Sequence, residues 1–165
     1  ILDLRGNVNT RLAKLDAGDF DAIVLAKAGL IRLGMSERIR SSIAADICLP
    51  AAGQGAVGIE LREDDAELAA LLEPLNHRPT VLCVRAERAM SRELQGNCQV
   101  PVASHARLDG GSLELTGVVA DLSGIRNLRV RRTGDASAPE ALGKEVAAEL
   151  RRCGADEILA GILRS

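Results

Sequence analysis

Apolar and polar residues follow two rhythms along this chain, and the change from one to the other marks its organisation. From Asn7 to Leu15 the apolar positions Val8, Leu12 and Leu15 recur on one helical face, with Asn7 placed to cap the helix and Gly18 to stop it. The continuous apolar run Asp21 to Ala26 follows a Gly18-Asp19 turn signal and suits a strand buried on both faces of a sheet. Short helices are predicted over Ala28 to Leu33 and Ser36 to Ile43, broken at Gly34. Short strands are predicted at Ile47 to Leu49, ending at Pro50, and at Val57 to Leu61. Asp64 is placed to cap a helix through Leu72, with Pro74 ending it.

After Asn76 the pattern changes. Leu82, Cys83, Ala86, Ala89, Met90 and Leu94 keep a helical period from Thr80, with Gly96 as the stop just before Cys98. Strands at Val100 to Leu108 and Leu113 to Ala120 flank Asp109-Gly110-Gly111-Ser112, a hairpin signal because glycine reaches positive φ without steric cost. A third strand is predicted at Leu128 to Thr133. A helix opened by Pro139 runs through Leu150 and closes near Gly154, and a last helix covers Asp156 to Leu163. The fold class is therefore α/β: a first part of alternating helices and strands, then a smaller α+β part with a three-stranded antiparallel sheet and helices.

Composition narrows the chemistry. A formal charge of -2 over 165 residues provides no global field for nucleic acid or an anionic membrane. A single aromatic residue, Phe20, removes the stacking platforms of single-strand binders. The apolar runs are far shorter than the roughly 20 residues of a membrane span, so a soluble cytoplasmic or plastid-stromal protein is expected. Cys48, Cys83, Cys98 and Cys153 are widely spaced, without C-x-x-C pairs or histidines at metal-ligand spacing. Free thiols in a reducing compartment and no metal site are the expectation. The chain opens at Ile1 directly in an apolar-polar segment, which predicts further protein upstream.

Four groups of residues are candidates for chemistry. Gly53-Gln54-Gly55-Ala56-Val57-Gly58 matches the dinucleotide fingerprint letter for letter, but the chain runs on into a predicted strand rather than the helix N-terminus that a pyrophosphate needs. The glycines instead suit close approach of backbone to a neighbouring strand or a ligand. Arg5 and Arg11 bracket a helix start, where free N–H groups already favour anions, so carboxylate capture is open to them, as is plain solvation; Arg32 has the same two readings. Cys98 sits in a polar, glycine-rich loop that makes a thiol reachable, whereas Cys83 and Cys153 read as small buried hydrophobes. His77 and His105 have no carboxylate or cysteine nearby in sequence and read as structural or surface residues.

Taken in order, Leu4-Arg5-Gly6-Asn7-Val8 with Thr10-Arg11-Leu12, then Leu49-Pro50-Ala51-Ala52-Gly53-Gln54-Gly55-Ala56-Val57-Gly58, then Glu87-Arg88-Ala89 leading into Gly96-Asn97-Cys98-Gln99-Val100-Pro101, resemble porphobilinogen deaminase over essentially the whole chain. The resemblance implies three divisions. Residues 1–49 would be the end of a periplasmic-binding-protein-like domain 2, residues 50–75 the crossover and return segment of a similar domain 1, and residues 76–165 the α+β cofactor-attachment domain 3. It also implies a transferase that polymerises four porphobilinogen units, with loss of ammonia, into hydroxymethylbilane. The growing pyrrole chain would stand on a dipyrromethane cofactor held by a thioether to Cys98.

By the same resemblance Arg5, Arg11 and Arg32 neutralise pyrrole acetates and propionates, and Gly53, Gln54 and Gly55 lie against the cofactor. The parent would be a monomer with neither nucleic-acid nor membrane partners. The sequence departs from the family pattern at Asn97, where a glycine is usual, a change that Asn tolerates because it accepts left-handed backbone angles. No acid in the chain matches the family's catalytic aspartate, which belongs to a Lys-Asp segment upstream of Ile1, so the isolated chain is expected to be inactive. Two rivals keep the same residues: a small-carboxylate binding module without chemistry, and a thiol redox or regulatory protein using Cys98.

Overall fold

The computed structural model describes residues 1–94 and 100–162, which fall into two compact units, Ile1–Ile43 and Ala44–Ser165. In the first unit, helix α1 (Val8–Asp16) starts where Asn7 leaves the helical conformation and its side chain accepts a 2.9 Å bond from the Thr10 N–H. That bond satisfies one of the N–H groups left without an intrahelical partner. Helix α2 (Lys27–Arg32) follows, then a single 3-10 turn at Ser36–Arg38. Arg38 pairs with Asp16 at 2.5 Å, and Leu12 and Leu30 are the buried apolar side chains of this unit among the described residues.

The helix expected over Ser36 to Ile43 is thus reduced to one 3-10 turn, which ends at an extended Ile39. Residues 21–26 also form no ladder: Val24 is 71% exposed. A strand needs a neighbour to take its N–H and C=O groups, and no described residue supplies one here.

The second unit carries a three-stranded antiparallel sheet backed by helices. Helix α3 (Ala66–Leu72) is capped by Asp65, one residue later than expected, whose side chain accepts from the Leu68 N–H at 3.0 Å; Pro74 falls in the 3-10 turn Glu73–Leu75 that follows. Helix α4 (Arg78–Glu93) then leads towards the sheet, which has the order β1 (Val102–Asp109), β2 (Ser112–Ala120), β3 (Asn127–Asp135). The hairpin register pairs Asp109 with Ser112 across Gly110-Gly111, as the sequence predicts. Helices α5 (Pro139–Arg152) and α6 (Ala155–Ile162) complete the unit.

Alternation along the strands sorts the two faces of the sheet. Leu113, Leu115 and Val119 of β2 meet Met90 and Leu94 of the α4 end and Val146 and Leu150 of α5 in one fully buried cluster. Gly143 lets α5 approach α4 so closely that an added Cβ would strike the Ala86 carbonyl and lie 2.7 Å from the Ala89 Cβ.

The other face carries Arg129 and Arg131 of β3, which hold the turn at residues 44–48. Arg129 donates to the Asp46 carbonyl at 3.1 Å, and Arg131 to the Asp46 carboxylate at 3.1 Å. The strand expected at Ile47 to Leu49 is therefore partly a turn, its N–H groups at Ile47 and Cys48 both bonded to the Ala44 carbonyl. Residues 57–61 form no strand among the described residues. No helix of the described residues is long and apolar enough to cross a membrane.

Candidate functional site

A cleft of about 580 Å³ opens in the second unit between the Gly53–Ala56 turn, α4 and the outer edge of β1. Its wall is built by a spacing rule: Cys83 and Glu87 are one helical turn apart on α4 and face the same way, towards β1. Because β1 is an edge strand, alternate N–H groups point away from β2 and need acceptors. The Ser104 N–H finds the Pro50 carbonyl at 3.1 Å, and the Ala106 N–H finds Glu87 Oε1 at 2.7 Å.

The second oxygen of Glu87 reaches the turn. Glu87 Oε2 accepts from the Gly53 N–H at 2.6 Å, and the turn is closed by bonds from Gln54 to the Ala51 carbonyl and from Ala56 to the Gly53 carbonyl, each 3.0 Å. Gly53 and Gly55 stand at φ +72° and +86°, a region that L side chains rarely enter, which explains glycine on either side of Gln54.

Glu87 is 5% exposed, and burial pushes its carboxyl above the ordinary range; the two N–H donors and His105, whose Nδ1 lies 3.9 Å away, pull the other way without cancelling the shift. Burial, reinforced by Glu87, also raises the Cys83 thiol, against smaller opposing pulls from the backbone of Leu108 and of Cys83 itself.

The sequence-based site residues separate between the units. Gly53, Gln54 and Gly55 line the cleft of the second unit. Arg5, Arg11 and Arg32 belong to the first, Arg5 and Arg32 exposed and Arg11 half-buried. Arg5 stands 3.8 Å from the Asp3 carboxylate, and Arg11 Nε donates to the Gly6 carbonyl at 2.8 Å, tying the residues before α1 to the helix. Arg32 closes the last turn of α2. Cys98 lies outside the described residues.

His105 has no carboxylate nearby in sequence, but the fold brings its Nδ1 to 3.9 Å from Glu87 Oε1. Cys153, read as a buried hydrophobe, is exposed, while Cys83 is half-buried against the core. Glu87 itself went unremarked as a site residue, although its position on the apolar period of α4, between Cys83 and Met90, is the signal that marks a buried acid. Among the described residues no group of His, Cys, Asp and Glu could hold a metal ion.

Comparison with known proteins adds a second line of support. Residues 1–70 match the family model described as porphobilinogen deaminase, dipyromethane cofactor binding domain, and residues 81–152 match porphobilinogen deaminase, C-terminal domain. A porphobilinogen deaminase of Gloeobacter violaceus is 56% identical over 158 residues, covering 95% of this chain and 48% of the relative. One of Synechococcus elongatus is 54% identical over 157 residues, covering 95% of this chain and 49% of the relative. The chain spans about half the length of these curated relatives. With consecutive models of one family matching both of its parts, and relatives this similar along nearly all of its residues, the chain belongs to the porphobilinogen deaminase family.

Proposed function

We propose that this chain is the cofactor-bearing part of a transferase that joins four porphobilinogen units, releasing ammonia at each addition, into the linear tetrapyrrole hydroxymethylbilane. The observation that carries the reading is the pair of family matches in chain order, one of them to a dipyromethane cofactor binding domain. Arg5, Arg11, Arg32 and the Gly53–Gly55 turn all fall inside that match, and Cys98 falls inside the match to the C-terminal domain. The division into residues 1–49, 50–75 and 76–165, a cytoplasmic or stromal location and a monomeric parent belong to the same proposal.

The residues fit a polycarboxylate bound through sulfur. Guanidinium groups bind carboxylates in a bidentate fork, and Arg5 keeps its side chain 89% exposed, 3.8 Å from the Asp3 carboxylate. Arg11 and Arg32 extend the set. The turn around Gln54 offers backbone without side chains at Gly53 and Gly55, which permits close approach of a flat ring. When bound, dipyrromethane supplies the pyrrole carbon to which the next unit is joined. In this reading Cys98 tethers it, making each addition effectively intramolecular. The arginines hold and orient the acid side chains, and Gln54 borders the ring.

The reading assigns no catalytic acid to these 165 residues. Assay of the chain by itself is expected to yield no tetrapyrrole; production of tetrapyrrole by the chain alone would overturn that part. Ehrlich's reagent, which colours pyrroles, tests the tether. The complete enzyme is expected to colour and Cys98→Ser to stay colourless, whereas a carboxylate-binding module or a thiol redox protein would stay colourless in both forms.

A further inference from the structure

We propose that Glu87 is a positioning residue: its buried carboxylate staples the Gly53–Gly55 turn, and Gln54 with it, to the edge of β1, so that α4 sets how far the turn reaches into the cleft. The geometry is specific to a carboxylate. One oxygen takes the Gly53 N–H at 2.6 Å and the other the Ala106 N–H at 2.7 Å, joining segments 34 and 19 residues away. A neutral amide has one acceptor oxygen and would present its NH₂ to the second donor, so glutamine cannot reproduce both bonds. Aspartate, one methylene shorter on the same helix, would not span the two donors.

Among the described residues, few groups face this carboxylate. His105 approaches from β1, with Nδ1 at 3.9 Å, and its Nε2 is 3.4 Å from Arg107 Nε. Cys83 lies beside it on α4, and from the turn comes the Gly53 backbone. Burial outweighs these partners and raises the carboxyl above its ordinary range, so protonation weakens both bonds of the staple at once. The two amides, distant in sequence, should therefore respond to a single proton. The consequence for elongation rests on reading this turn as a neighbour of the cofactor; the staple itself does not.

The test is a pH titration of the full 165-residue chain followed by amide NMR and hydrogen exchange. The Gly53 and Ala106 amide protons are expected to move with one shared midpoint above the ordinary glutamate range. In Glu87→Gln that titration should vanish and the Gly53 amide should exchange at least about tenfold faster, while Val119 and Val130 in the β2–β3 ladder keep their protection. A Gly53 amide as protected in Glu87→Gln as in the parent, or separate midpoints for Gly53 and Ala106, would overturn the proposal. Should Glu87→Gln unfold the unit, the titration of the unaltered chain decides alone. Failure of the cofactor reading has a different signature: it leaves the complete enzyme with a bare polypeptide mass and leaves this titration unchanged.

Discussion

The two units of this chain cover their apolar residues to different degrees. In Ala44–Ser165 the buried apolar side chains run from Ala86 to Leu159 and close around β2, which has α4 and α5 on one face and neighbouring strands on both edges. In Ile1–Ile43 only Leu12 and Leu30 are buried among the described residues, and Val24 and Ile31 remain exposed. Both units contain apolar runs of strand length, so hydrophobicity alone does not separate them. The second unit has its partners nearby in sequence: a two-residue hairpin turn brings β2 back onto β1, and a helix at each end of the sheet supplies the covering layer. The contrast teaches that an apolar run becomes a strand only when the chain delivers a neighbour to its edges.

Substitutions sharpen this comparison. The largest effect is expected from Leu115→Ala, which empties the centre of the β2 cluster and should lower the stability of the second unit by about 2–5 kcal/mol in urea unfolding. Gly143→Ala should follow at about 1–3 kcal/mol, because its methyl group would meet the backbone of α4 rather than a side chain that can turn aside. A variant as stable as the parent at either position would mean that the α4–α5 layer is not packed as described.

The pH dependence separates Glu87 from the other shifted carboxyls. A carboxyl whose pKa is raised by folding binds its proton more tightly in the folded state. The Glu87 contribution to stability is therefore retained at low pH and declines as pH climbs from the ordinary glutamate range through the raised value. Asp121, Asp135 and Glu140 are shifted down, chiefly by bonds from Ser123, Ser137 and Arg85 respectively, so their contributions are present above the ordinary range and are lost as pH falls through the lowered values. Urea midpoints measured across pH should show the decline above the ordinary range in the parent and not in Glu87→Gln. The smallest effect is expected in the first unit, where Asn7→Ala removes the α1 cap and should cost about 1 kcal/mol, read as faster amide exchange at Thr10 without change in the β2–β3 ladder.

Much of the second unit was legible in the sequence, for a physical reason. The hairpin at Gly110-Gly111, the period of α4 and the Pro139 start of α5 are local signals, and tertiary packing agrees with each. The segments Asp21 to Ala26, Ile47 to Leu49 and Val57 to Leu61 have the apolar pattern of strands but form none, because ladder formation depends on residues elsewhere in the chain. Ser36 to Ile43 ended after one 3-10 turn, consistent with a stretch that buries no side chain within its first turn.

The site divides in the same way. The glycines beside Gln54 signal an unusual backbone by their identity, and positive φ at both is what the structure has. The role of Glu87 depends on Gly53 and Ala106, so its sequence neighbours Arg88 and Ala89 carry no hint of it; only an acid at an apolar helix position does. Arg5, Arg11 and Arg32 were picked out by type and resemblance; in the first unit Arg5 and Arg32 are exposed and Arg11 is half-buried.

The most direct test of the central claim is a peptide map, by tandem mass spectrometry, of the complete enzyme purified from its own source. The account predicts that the peptide containing Cys98 carries the added mass of two pyrrole units on its sulfur and that every peptide containing Cys48, Cys83 or Cys153 is unmodified. An unmodified Cys98 peptide from enzyme that is fully active would contradict it.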